Sequence, residues 1–304
     1  MGFEGFVRST DGVPLHVVVE GAGPVCVLAA GLGLCWFDWD AVAALLAPHR
    51  TVVRFDRPGH GLSAPAAAPP TAAGEARRIA ALLDALGPAG QAPATVVGHS
   101  LAGFHAEAFG RLYPARTAAL VLLDSSVEEA PRPPRLPAAV RDAAARALER
   151  AVTAAGLPAA LGPALRRAGV RASRTGGADP AAGESVRRCY RTGRVWRGTL
   201  LENARYPDVA ADVLALRAER PLRAPVTVLA GYDASARPAA LHWLGRQADL
   251  ADRLGARFEV AEPSGHMVML DRPDQVARAV LDAPRGPGRT ARSVPRLGPG
   301  QPRA

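Results

Sequence analysis

Ser100, His266 and an aspartate drawn from Asp124 or Asp233 are the residues whose types and order suit nucleophilic catalysis. A serine hydroxyl is a weak nucleophile until a base removes its proton. That base in turn needs an acid to fix its tautomer and stabilise its positive charge. Ser100 lies in the stretch 95–103, Thr-Val-Val-Gly-His-Ser-Leu-Ala-Gly, where an apolar run ends in small residues and a helix-compatible segment begins. Such a stretch presents a serine on a tight strand-to-helix turn, with a helix N-terminus beneath its hydroxyl.

The base should be a histidine late in the chain. His266 sits in Pro-Ser-Gly-His-Met after a strand-like segment, and Gly265 lets the backbone turn tightly beside it. His16, His49, His105 and His242 read better as packed or surface residues, and His60 as part of a Gly-flanked turn with no second ligand at metal spacing. Two aspartates end strand-like runs at positions from which a carboxylate could reach this histidine: Asp124 after residues 119–123, and Asp233 after residues 226–232. Either satisfies the order Ser, acid, His. An acyl-transfer site also needs two backbone N–H groups facing the developing oxyanion. Leu101 follows the nucleophile and supplies one; Leu32, in the Gly31-Leu32-Gly33-Leu34 loop after the Val25–Ala30 run, is the natural second.

The elements that must position these groups alternate. Strand candidates are Gly5–Arg8, Leu15–Glu20, Val25–Ala30, Thr51–Asp56, Thr95–Val97 and Ala119–Leu123, then Val226–Ala230 and Arg257–Ala261. Most are continuous apolar runs bounded by Gly, Pro or Asp, the pattern of strands covered on both faces. Helical patterns fall at Trp39–Leu46, Ala72–Leu86 (with Arg77, Arg78 and Asp84 outward), Leu101–Tyr113, Pro238–Leu254 and Pro273–Leu281. Alternation of this kind predicts an α/β fold with a mostly parallel sheet. It stops at Ser126: residues 127–205 are Pro-rich and then Ala/Arg/Leu-rich, with breaks expected near Gly156, Gly162 and Gly176. The organisation predicted is a core of 1–126 and 206–283, a helical cap of 127–205, and a disordered basic tail of 284–304.

Every one of the 37 basic residues is arginine, which excludes Schiff-base lysine chemistry. The net charge of +9 is uneven, with 15 Arg against 7 acids in 127–205 and 5 Arg against none in 284–304, leaving the core mildly acidic. A tail without aromatics or a nucleic-acid motif is expected to be solvated, so no nucleic-acid or membrane partner is predicted. Arg187, Arg188, Arg191, Arg194 and Arg197 could steer an anionic substrate, although a solvated helix face is the plainer reading. Cys26, Cys35 and Cys189 form neither a metal spacing nor an even disulfide set. The N-terminus carries no basic leader or apolar signal core, so a soluble, cytoplasmic protein is expected.

Taken together, Gly98–Ala102, Asp56–Ser63, Gly31–Gly33 and Ser264–His266 resemble the α/β-hydrolase superfamily over roughly residues 5 to 283. The resemblance implies an eight-stranded, mostly parallel sheet with helices on both faces and a variable helical cap. It implies Ser100 as nucleophile, His266 as base, Leu32 and Leu101 as oxyanion donors, and, because the acid usually follows the strand after the cap, Asp233 rather than Asp124. Ser100 also stands where haloalkane dehalogenases and soluble epoxide hydrolases need an aspartate, which argues against their chemistry. The expectation is a serine hydrolase of esterase or lactonase type, acting on a small acyl substrate with neither metal nor cofactor. Perhydrolase, C–C hydrolase or lyase chemistry at the same site, or a member that only binds a ligand, are the alternatives. Trp36, Phe37, Trp39 and Trp196 are candidates for apolar pocket lining or core. Ala30-Gly31 stands where the family commonly has His-Gly, and Ala102 where the elbow has its second glycine.

Overall fold

The structure is a computed structural model, and it describes residues 2–66, 68–130 and 134–283. The predicted basic tail, 284–304, lies outside the described residues, as do 131–133 of the Pro-rich segment. Eight strands form one sheet: β1 (Phe3–Arg8), β2 (Pro14–Gly21), β3 (Val25–Ala29), β4 (Thr51–Phe55), β5 (Ala94–His99), β6 (Thr117–Leu123), β7 (Val226–Gly231) and β8 (Arg257–Ala261). Their order across the sheet is β1-β2-β4-β3-β5-β6-β7-β8. Only the pairings of β2 are antiparallel.

Alternation along the central strands sorts side chains onto two buried faces. Val25, Val27 and Ala29 of β3 join the cluster formed with α2 (Ala72–Ala85), α3 (Leu101–Leu112) and α8 (Pro238–Leu254). Cys26 and Leu28 join the opposite cluster with α1 (Asp40–Leu46), α9 (Val268–Asp271) and α10 (Pro273–Leu281). Central strands buried on both sides leave no face for polar residues, which is why they read as unbroken apolar runs. The chain leaves β3 to one side for β4 and returns on the other as β5. A sheet of this type opens a crevice at the carboxyl ends of the strands where the order reverses. The Gly31 loop leaves β3 and Ser100 leaves β5 at that point.

The segment expected to form a cap, called the cap below, folds as α4 (Ala138–Ala154), α5 (Leu157–Ala172), α6 (Gly183–Tyr190) and the first half of α7 (Gly193–Glu219). Gly156 breaks the chain between α4 and α5 in the left-handed conformation, φ 72°. Gly162 does not break α5: it lies inside the helix, where a Cβ would sit 1.9 Å from the carbonyl oxygen of Tyr190. It therefore lets α5 and α6 approach rather than ending either. Residue 205 falls within α7, whose later residues Val209, Ala210 and Val213 pack into the core beside α3. Trp39 is core, whereas Phe37, with Trp36 packed against it, meets Val186, Cys189 and Tyr190 in a cluster joining cap to core. Among the described residues no helix is long and apolar enough to cross a membrane.

One outward assignment is corrected. Arg78 is buried, donating to Glu75 within α2 and to Asp11 at 2.6 Å, because its helix face meets charged partners rather than water.

His105 of α3 carries a consequence for stability. It is 1% exposed, neither ring nitrogen has a hydrogen-bond partner among the described residues, and burial pushes its pKa down to about 3. The unfolded chain takes up this proton below its ordinary value of about 6.5 while the folded chain does not, so stability falls as pH drops through that window. At pH 5 the loss from this group is about 2 kcal/mol. Urea midpoints at pH 7 and pH 5 should show His105→Met losing about 2 kcal/mol less than wild type over that interval.

Candidate active site

Ser100 sits between β5 and α3 at φ 52° and ψ −122°, a conformation an L-residue adopts only when its surroundings impose it. Those surroundings are visible. Ser100 N–H donates to the Leu123 carbonyl of β6 at 3.1 Å, while its own carbonyl accepts from Gly103 N at 2.9 Å and Ser126 N at 3.0 Å. Gly98 is required beneath the turn, since a Cβ there would lie 2.2 Å from the carbonyl oxygen of Ala102. Gly103 is likewise pressed against Ser125, so it gives the clearance needed on the outer side of the elbow. Ala102, in place of a second elbow glycine, is accommodated without exposure.

Leu101 is the first residue of α3, and its N–H precedes any intrahelical acceptor. Across the crevice the β3 loop approaches closely: a Cβ on Gly31 would lie 3.1 Å from Cβ of Ser100 and 2.7 Å from Nδ1 of His99. Leu32 N–H donates to no acceptor among the described residues. Tyr190 of the cap donates from its hydroxyl to the Gly33 carbonyl at 2.6 Å, tying α6 to the same loop.

His266 follows β8. Its Nδ1–H donates to Oδ2 of Asp124 at 2.5 Å. A carboxylate oxygen accepts here, so in the neutral imidazole this contact selects the tautomer with its proton on Nδ1 and its lone pair on Nε2. Gly265 is needed here because a Cβ would meet the Ser173 carbonyl oxygen at 2.4 Å. The loop is held from below by His99, whose Nε2–H donates to the His266 carbonyl at 2.9 Å. Burial, with the neighbouring His266 adding to it, keeps the His99 pKa well below the usual histidine value, so this imidazole is neutral. Thus the residue beside Ser100 holds the backbone of His266.

The structure brings Asp124, not Asp233, to His266. Asp124 takes a positive φ of 39° after β6 and is 1% exposed. Its second oxygen, Oδ1, accepts from Gly231 N at 3.0 Å and from the Trp243 indole at 2.9 Å. Its carboxylate is therefore fully bonded and oriented. Asp233 turns back on its own loop, accepting from Ser235 Oγ at 2.6 Å and Ser235 N at 3.1 Å and pairing with Arg237. These Ser235 hydrogen bonds hold its carboxyl below the usual range. The expectation that Asp233 faces His266 is thereby corrected: a local turn satisfies that carboxylate before it can reach the imidazole. Trp243 of α8 was not singled out by sequence; only its place on the helix after β7 hints at it.

A cavity of about 390 Å³ lies between cap and core, touching Leu32, Gly33, Val170, Trp196, Leu200 and Met267. It thus adjoins both the β3 loop and the residue after His266. None of Arg187, Arg188, Arg191, Arg194 or Arg197 is among its lining residues. Arg194 is instead committed to the carbonyls of Gly61 and Ser63. The one arginine in the wall, Arg166, is buried, paired with Asp38 and stacked against Tyr190.

The strained Ser100, the His266–Asp124 pair and the Gly31 loop all lie at the carboxyl ends of their strands. The chain belongs to the alpha/beta hydrolase family, whose sequence model matches residues 26–279. No curated protein matches the sequence. Among solved structures it is similar to Cfl2 from Burkholderia cenocepacia, at 24% identity and a TM-score of 0.73, with 92% of this chain and 95% of that one covered. It is also similar to a thermophilic esterase from Thermogutta terrifontis, at 24% identity and a TM-score of 0.63, covering 92% and 97%. An enol-lactonase from Burkholderia xenovorans aligns at 24% identity and a TM-score of 0.61, covering 91% and 98%. At these identities the likeness is one of fold.

Proposed function

We propose that the protein is a serine hydrolase that cleaves carboxylic esters or lactones with a neutral, apolar body through an acyl-enzyme. The observation that carries this reading is the oriented His266–Asp124 pair at the same crevice as the strained Ser100. Nε2 of His266 accepts the Ser100 proton as Oγ attacks the carbonyl carbon. The oxyanion formed is received by the N–H groups of Leu32 and Leu101. His266 then gives its proton to the leaving oxygen as the ester bond breaks. Water, deprotonated by the same nitrogen, releases the acid and restores Ser100. Asp124 keeps Nδ1 protonated throughout and stabilises the transient imidazolium.

The apolar cavity beside the Leu32 loop supports the substrate class. Its single arginine is already neutralised by Asp38, so a carboxylate-bearing substrate gains no cation there. Ester and lactone neighbours of the same fold agree with this reading, and the serine at position 100 disfavours epoxide or haloalkane opening by an aspartate.

Labelling with a fluorophosphonate, together with a panel of p-nitrophenyl esters and simple lactones, tests the proposal. Wild type should label and turn over neutral acyl chains. Ser100→Ala should lose labelling entirely, and turnover should fall by about 10⁴-fold or more. A folded wild type that neither labels nor hydrolyses any member of the panel would sink the idea.

A further inference from the structure

Arg57 was legible in sequence only as part of the Asp56–Ser63 turn. Asp56 organises that turn, accepting from Leu62 N at 3.0 Å and, across to the β3 loop, from Trp36 N at 3.0 Å. Arg57 is 2% exposed and points the other way, into the space between the β3 loop and α7. Its Nη1 donates to the carbonyl of Ala30, and its Nη2 donates to the carbonyl of Gly31 at 2.9 Å. Nε and Nη2 also meet Glu202 of α7, at 2.6 and 2.8 Å. His60 stands on the same carboxylate, 3.3 Å away. Burial alone would raise the Glu202 carboxyl, but Arg57 first and His60 next hold it down at about 2, so it is ionised at any working pH. The approach of α7 is close because two glycines face each other, a Cβ on Gly59 lying 3.1 Å from the Cα of Gly198.

The geometry of a peptide gives this contact its meaning. The Gly31–Leu32 unit is planar and trans, so its C=O and N–H point in opposite directions. Fixing the Gly31 oxygen toward Arg57 fixes the Leu32 N–H away from it. Leu34 N–H reinforces the same carbonyl at 3.1 Å. A charged donor on the carbonyl also polarises the amide and strengthens its N–H as a donor. A fully buried ion pair contributes little net stability compared with apolar residues of similar volume, so this pair has no evident advantage as mere filling. Using the guanidinium fork on two carbonyls and one carboxylate is something a lysine cannot do.

We infer that Arg57, clamped by Glu202 of α7, is a positioning residue that sets the oxyanion hole by orienting the Gly31–Leu32 peptide. It steadies the loop from the turn after β4, since the Ala30 side chain has no donor to offer. Through Glu202 the orientation of that peptide is coupled to the helix that carries the cap. The inference rests on the serine-hydrolase reading for its catalytic meaning, but the anchor itself is measurable without it.

Two variants test it: Arg57→Lys, and the double variant Arg57→Met/Glu202→Leu, which strands no charge and so keeps the test open if the lysine variant fails to fold. Amide exchange is measured across residues 31–37, and kcat, KM and the affinity for an aryl trifluoromethyl ketone on a short neutral ester. The ketone carbon bonds to Oγ of Ser100, His266 takes the displaced proton, and the resulting oxyanion occupies the hole. Exchange in the loop should rise by about tenfold or more, the fold change that loss of about 1.4 kcal/mol of local protection produces. The rate constant kcat should fall by about 30- to 100-fold, below the full cost of deleting a donor, and ketone affinity should weaken in proportion while KM changes by about threefold at most. A merely structural role would lower Tm without linking kcat to ketone affinity. Loop exchange equal to wild type in a folded variant overturns the proposal, as does a kcat loss with ketone affinity unchanged. Failure of wild type to label with fluorophosphonate would instead overturn the esterase reading, and with it the catalytic part of this inference, while amide exchange would still decide whether Arg57 anchors the loop.

Discussion

Asp124→Asn should lose about four orders of magnitude in kcat, whereas Asp233→Asn should stay within about twofold of wild type. The asymmetry follows from what each carboxylate touches. Asp124 accepts from Nδ1 of His266, and its other oxygen is fixed by Gly231 N–H and the Trp243 indole. An asparagine there keeps the shape but presents an amide N–H₂ toward the imidazole whenever its oxygen stays with those two donors. Nδ1 must then accept and the proton moves to Nε2, the nitrogen that takes the Ser100 proton in the proposed mechanism, so the base is lost. Asp233 serves only its own turn with Ser235 and Arg237. Steady-state kinetics on one short ester, with fluorophosphonate labelling beside it, reads both variants. Equal losses in the two, or a larger loss in Asp233→Asn, would return the acid to the loop after β7.

The second large effect concerns backbone clearance. Gly98→Ala places a methyl 2.2 Å from the Ala102 carbonyl oxygen, a contact with backbone in the first turn of α3 that no rotamer change relieves. The elbow must open or the helix must tilt. Either carries Ser100 away from the hydrogen bonds to Leu123, Gly103 and Ser126 that impose its positive φ. Stability should fall by about 3 kcal/mol, and kcat/KM by about 100-fold or more, the cost of misplacing a reacting atom by about 1 Å. Gly245→Ala is the matched control: it lies inside α8 with nothing within 4 Å of the new methyl, so it should raise stability by up to about 1 kcal/mol. Thermal melts and ester turnover of the two variants decide the matter, and wild-type turnover by Gly98→Ala would refute the close packing.

Much of this was legible in the chain. The expected bounds of β8, α8 and α10 coincide with those observed, because Gly, Pro and Asp punctuate apolar runs whose period is unambiguous. Ser100 and His266 stood out because the chemistry demands small residues around them, and small residues are visible in sequence. The acid was harder because Asp124 and Asp233 both end strands; what separates them is a local competitor and a distant donor. The competitor, Ser235 two residues after Asp233, is an Asx-type turn signal that one-dimensional reading can recognise. The donor, Trp243, comes from another helix and leaves no such trace. Arg78 was misplaced and Arg57 passed over for one physical reason. A helix or turn pattern treats arginine as a solvent residue, whereas pairing with Glu75 and Asp11, or with Glu202 far along the chain, lets it be buried.

α7 bears on how such enzymes are recombined. It is a 27-residue helix, about 40 Å long, that starts among the cap helices and ends against the core. Glu202 and Val213 therefore belong to one helix, so a graft that exchanges the cap at residue 205 cuts that helix and separates the Arg57 clamp from its footing. A chimaera should take the whole helix, with its junction beyond Glu219. The helices over the site are a transplantable part only when all of α7 travels with them.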